Sequence, residues 1–147
     1  MKKLIFLFAA CFVFSLNSYG QDLKKLENSD VDKSMLQVAE NFALEYLTKL
    51  KEGSYYEFQD EAIAEFKRQM TEQRQKKAYQ NLKEKFGDFR SINYEQTWLQ
   101  DTNNPLQIFR FKADFKASNQ PLEVRVVLNE AGKIAGLWVK PWRENLQ

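Results

Sequence analysis

Hydrophobic positions along this chain follow three rules in turn. Residues 4–14 form an almost unbroken apolar run, the apolar residues from Val31 to Phe86 recur every three or four positions, and those after Phe89 alternate. The middle regime predicts helices. Val31, Met35, Val38, Phe42, Tyr46 and Leu50 make one long amphipathic stripe, with Ser29 or Asp30 as N-cap and Gly53 as terminator. Tyr55, Tyr56 and Phe58 lead to a second stripe, Ile63, Phe66 and Met70, behind a cap at Asp60. Thr71 opens a third helix that carries Ala78, Leu82 and Phe86 on one side and stops at Gly87.

The last regime predicts strands. Ile92, Tyr94 and Trp98 share a face of the first, and a polar turn at residues 101–105 follows. Phe109, Phe111, Ala113 and Phe115 share a face of the second, leaving Arg110, Lys112, Asp114 and Lys116 on a solvated side. After a turn at residues 118–121 comes a hairpin whose loop, Asn129, Glu130, Ala131 and Gly132, needs a positive φ at the glycine. The register expected from that turn pairs Asn129 with Lys133, Leu128 with Ile134, Val126 with Gly136 and Val124 with Trp138. Val127, Ala135, Leu137 and Val139 then form an apolar outer stripe, wetted only by Glu123 and Arg125, of the kind that pairs two copies or takes a protein partner. The fold class is α+β: three N-terminal helices followed by a four-stranded curved antiparallel sheet.

The first regime is an address. Lys2 and Lys3, the apolar run and a small-residue site at Ser18, Tyr19 and Gly20 read as an export signal, residues 1–20, cleaved ahead of Gln21. Residues 21–28 follow as a loose leader and residues 29–147 as a single domain, periplasmic or secreted. The alternative is a lipoprotein acylated at Cys11 within Phe8, Ala9, Ala10 and Cys11. The apolar run is far too short to span a bilayer, and the chain after Gln21 has no second one. Cleavage removes the only cysteine and with it any thiol or disulfide chemistry. It also removes two of the 22 basic residues, leaving 20 against 20 acidic ones, a balance that argues against a nucleic-acid partner. Arg68, Arg74, Lys76, Lys77, Lys83 and Lys85 are interleaved with Glu65, Glu72 and Glu84 as on a solvated helical face.

The chain contains no histidine, which excludes histidine triads and ordinary transition-metal sites. No phosphate loop or calcium-loop spacing occurs, and no cofactor or metal is implied. Two function classes remain. An enzyme would need a carboxylate base with a tyrosine donor, and Asp114 with Tyr94 or Tyr46 is the pair on offer. Asp114 alternates with cations as a solvated residue does, however, and Tyr46 lies on a core stripe. A binding module would use aromatic walls, and Trp98, Trp138, Trp142 and Tyr94 in the sheet half are the candidates.

Three stretches carry a resemblance. Phe42 through Leu50, Lys51, Glu52, Gly53, Ser54 and Tyr55; Phe86, Gly87, Asp88 and Phe89; and Gly132 through Gly136, Leu137, Trp138, Val139, Lys140 and Pro141 resemble the domain of unknown function 3887 family. The chain as a whole is similar to a nuclear transport factor 2-like, or cystatin-like, cone over residues 38–142. The resemblance implies exported bacterial domains, some fused to hydrolases or peptidases, and supplies no functional residues. The inhibitory hairpin of cystatins, Gln-x-Val-x-Gly, is not matched by Gln120, Pro121, Leu122, Glu123 and Val124. The expected function is an exported, non-enzymatic binding or accessory module for a small apolar ligand or a protein partner. A carboxylate-based isomerase is the alternative.

Overall fold

A computed structural model describes residues 23–146; the export signal and Cys11 lie outside the described residues. The order of elements is β1 (Leu23–Lys25), α1 (Lys33–Lys51), α2 (Ala64–Gln69), α3 (Glu72–Phe86), β2 (Phe89–Gln100), β3 (Leu106–Phe115), β4 (Leu122–Asn129) and β5 (Ile134–Pro141). The α+β class and the three helices stand, but the antiparallel sheet has five strands in sequential order rather than four. The extra strand comes from the expected leader: Leu23, Lys24 and Lys25 pair with Gln100, Leu99 and Trp98 on the edge of β2.

The helix ends follow from capping chemistry. Asp32, not Ser29 or Asp30, caps α1, its carboxylate accepting from the amides of Ser34 and Met35. The second helix starts after Ile63, without the expected Asp60 cap, and Thr71 caps α3 through the Arg74 amide. Gly53 and Gly87 end their helices at φ 83° and 77°, where a side chain is strained. On α3 the side turned fully inward is Gln75 and Tyr79, while the expected Ala78, Leu82 and Phe86 are half-buried.

The core lies between α1 and one face of the sheet. Phe42, Ala43, Tyr46, Leu47 and Leu50 of α1 meet Phe109, Phe111, Ala113 and Phe115 of β3 and Val124, Val126 and Leu128 of β4, all buried. The expected β3 face is therefore the one observed, and removing any one of these phenylalanines would cost about 3–5 kcal/mol.

Two bulges move other residues off their expected faces. The turn itself forms as expected, with Gly132 at φ 72° and the Asn129 amide donating to the Lys133 carbonyl. Leu128 then pairs with Ile134, but Val127 pairs with Gly136, so Ala135 is an extra residue and the rest of β5 is shifted by one. Trp138 faces Arg125 rather than Val124. Leu137 and Val139, expected outside, join the core, while Val127 and Ala135 stay on the outer face. On β2 the jump from Tyr94 opposite Phe111 to Gln96 opposite Arg110 makes Glu95 the extra residue. Tyr94 thus stays inside and Trp98 turns out.

Candidate functional site

Two places gather polar groups on a rigid frame. The first is a groove of about 460 Å³ between α1 and the loop that follows it, lined by Glu45, Lys49, Ser54, Tyr55, Tyr56, Glu57, Gln59 and Glu61. Its floor is fixed by core contacts. The buried Gln75 amide accepts from the Tyr56 amide at 3.0 Å and donates to the Tyr56 carbonyl at 3.0 Å, standing in for a neighbouring strand. The Tyr56 ring packs edge-on against Phe42 and Phe58, at 5.2 and 4.8 Å between centroids.

Glu61 is held by main-chain pairing across the core. Its carbonyl accepts from the Ile134 amide at 2.8 Å, and the Ile63 amide donates back to the Ile134 carbonyl at 3.0 Å. Its carboxylate Oε2 accepts from the Gln59 amide at 2.9 Å, Oε1 is enclosed, and the Tyr56 hydroxyl is the side-chain donor that faces the carboxylate. Burial, then the negative charges of Glu61 and Glu45, push the Tyr56 hydroxyl up to about 12, so it stays protonated. The neighbouring Tyr55 hydroxyl donates to Glu57 at 2.7 Å, and Lys76 Nζ sits 5.7 Å from the centre of the Tyr55 ring. The groove offers three carboxylates against one lining ammonium, Lys49, which is itself 3.5 Å from Glu45.

The second place is the outer face of the sheet. Arg110, expected in solvent, is fully buried there with Glu123. Arg110 and Arg125 are directly opposite across β3 and β4, and only an anion between them makes that arrangement tolerable. Glu123 is that anion: Arg110 Nε donates to its Oε1 at 2.8 Å, Arg110 Nη2 to its Oε2 at 3.2 Å, and Arg125 Nε to its Oε1 at 2.7 Å. Burial opposes the charge on Glu123, but the hydrogen bonds from both arginines outweigh it and hold the carboxyl below its usual range. Residues 142–146 lie across this centre. The carbonyls of Arg143 and Glu144 accept from Arg110 Nη2 and Nη1, and Gln96 Oε1 accepts from Nη1 at 2.6 Å. The Trp142 ring centre lies 4.4 Å from the guanidinium.

The residues named from sequence are distributed between these faces. Trp98 and Trp138 flank an outer apolar cluster of Ile108, Val127 and Ala135 that also receives Leu146, and Trp142 covers Arg110. Tyr94 is on the opposite, core-facing side, its ring 6.0 Å from Phe111 and its hydroxyl 2.8 Å from Thr97. The tryptophans are thus brought together but apart from Tyr94, and none of the four lines the groove. Asp114 is exposed, 3.6 Å from Arg90, while Tyr46 is buried in α1, so the expected acid–base pair is not assembled. Glu45, Gln59 and Glu61 carry no signal in the sequence, and Tyr55 and Tyr56 read there only as the approach to the second helix; only contacts through Gln75 and Ile134, distant in the chain, unite them. The one signal that could have exposed the outer centre was the facing arginine pair, which required the correct register.

Among the described residues no group of three or more acidic or cysteine side chains could hold a metal ion, and no helix is long and apolar enough to cross a membrane. A family model described as a protein of unknown function, DUF3887, matches residues 43–137. No curated protein and no solved structure matches the chain.

Proposed function

The chain belongs to the DUF3887 family, and from that premise, which brings no activity with it, we propose an exported, non-enzymatic binding module that takes a small cationic ligand in the groove beside α1. The five-stranded antiparallel sheet packed on α1 supports reading the fold as a nuclear transport factor 2-like cone. Export through residues 1–20 would place it in the periplasm or outside the cell. The observation that carries the ligand class is the excess of negative charge in the groove, where Glu45, Glu57 and Glu61 stand against the one lining ammonium of Lys49. A cationic ligand offsets that charge, and its N–H groups donate to the carboxylates in charge-assisted hydrogen bonds. Glu45 and Glu57 add acceptors beside Glu61, and the nearby Lys76 is neutralised by Glu72 at 2.7 Å. The polar lining replaces the apolar ligand expected from the tryptophans.

Agmatine, with an ammonium at one end and a guanidinium at the other, is a suitable probe. Titration followed by backbone NMR should move the resonances of residues 54–61. Glu61→Gln should weaken binding by about tenfold or more, the loss of one charge-assisted hydrogen bond. Unmoved resonances at millimolar agmatine, or equal binding by Glu61→Gln, would refute the reading. One observation favours an acid–base enzyme instead: Tyr56 stays protonated within the field of a carboxylate. That reading requires deuterium exchange into a carbonyl probe such as dihydroxyacetone in D2O, abolished by Glu61→Gln.

A further inference from the structure

The outer face of the sheet carries an inference independent of the groove. We propose that it is a binding site for an extended segment of another polypeptide, kept shut in this chain by its own residues 142–146. What residues 142–146 do there is what a bound peptide would do. They make no ladder with an edge strand; they lie across the face, and Arg110 holds them by two successive main-chain carbonyls, Arg143 and Glu144. The Gln96 amide donates to the same Glu144 carbonyl at 3.3 Å. Both contacts are to main chain, while the Glu144 carboxylate works within the segment, accepting from Trp142 Nε1 at 2.9 Å.

Selectivity comes from the two ends. Trp142 stacks on Arg110 and lies 4.8 Å from Lys112 Nζ, and Leu146, four residues on, enters the cluster of Ile108, Val127 and Ala135 between Trp98 and Trp138. The partner therefore presents an aromatic residue followed four positions later by an aliphatic one. A reason for it to displace the tail is also present. Arg125 Nη2 is enclosed and has no acceptor among the described residues, although Arg125 Nε is committed to Glu123. A segment carrying a carboxylate to that nitrogen gains a charge-assisted hydrogen bond that the tail does not make. Pro141, which lacks an N–H, ends β5 and gives the tail a natural point of departure.

The test uses the full-length chain with Trp142→Ala and Leu146→Ala, and a fluorescent peptide of the sequence of residues 141–147. The tail competes intramolecularly at an effective concentration of order millimolar, so the wild-type chain should bind the peptide at least about tenfold more weakly than the variant. A peptide with its tryptophan replaced by alanine should not bind. A folded variant that ignores the peptide overturns the proposal. Native-state hydrogen exchange on the wild type needs no variant: the Trp142 amide, which donates to the Pro121 carbonyl, should exchange far faster than those of Val124 and Val126. Equal protection would mean that the tail leaves only when the sheet unfolds, and would also overturn it. A wild-type dimer by sedimentation that is lost in the variant would put a second copy's tail in the site and remove the foreign partner.

Discussion

Glu123 sits between Arg110 and Arg125, with Lys140 at 3.9 Å, so one carboxylate serves three cations on a face that the tail closes. The asymmetry decides what substitutions do. Taking away Arg110 leaves Glu123 with Arg125 at 2.7 Å and Lys140, whereas taking away Glu123 leaves a fully buried guanidinium facing another arginine. A buried charge left without its partner costs about 3–5 kcal/mol. Glu123→Ala should lose about that much in urea denaturation, and Arg110→Met distinctly less. Equal losses would show that Arg125 and Lys140 do not compensate for Arg110. Lys140 responds to the same surroundings: burial, then the charge of Arg125, lowers its pKa despite Glu123.

Turns and bulges are the elements in which local chemistry and tertiary fit part company. Gly132, Gly53 and Gly87 were legible as stops because positive φ is a local demand that glycine meets without strain. Their substitutions should nevertheless differ. A Cβ on Gly53 meets nothing within 4 Å and one on Gly132 meets only Met35 Cε at 3.9 Å, so alanine there costs about 1–2 kcal/mol of backbone strain. On Gly87 the same atom falls 2.9 Å from the Ala117 amide nitrogen, main chain that cannot swing aside. Thermal midpoints should therefore drop most for Gly87→Ala; similar drops for all three would sink this ranking. The bulges were not legible. Ile134 to Val139 is apolar on both faces, so no polar residue marks the solvent side and a one-residue slip carries no penalty visible in the sequence. Packing decides: the extra residue at Ala135 seats Leu137 and Val139 in the core and lets the Trp138 ring lie against Gly136, where a Cβ would come within 2.3 Å of it. The same holds at Glu95, which separates the inward Tyr94 from the outward Trp98. The groove was invisible for a related reason, since Gln75 and Ile134 reach Tyr56 and Glu61 only after α3 and β5 have docked.

For the whole molecule, buried ionisable groups set the pH range over which the fold is stable. Hydrogen bonds from two arginines hold the Glu123 pKa low against burial, so its contribution is present above the ordinary glutamate pKa and is lost as pH falls through the lowered value. The alkaline limit belongs to tyrosines. Burial raises Tyr46 and Tyr79, the hydrogen bond to Glu57 raises Tyr55, and burial with Glu61 and Glu45 raises Tyr56 to about 12. A tyrosine that ionises at 10 when unfolded but near 12 when folded binds more protons in the native state across that window, so stability falls as pH rises from 10 to 12. Lys140 works the other way, because its folded pKa lies below 10.5, but its effect is complete once both states have lost the proton. Above that point only the tyrosine slope remains. The thermal midpoint should therefore hold through neutral pH and fall between pH 10 and 12. Tyr56→Phe should make that fall shallower while leaving the acid limb, set on the opposite face of the sheet, where it was. An unchanged alkaline slope in the variant would remove Tyr56 from the balance, and with it the claim that Glu45 and Glu61 act on a hydroxyl inside the groove.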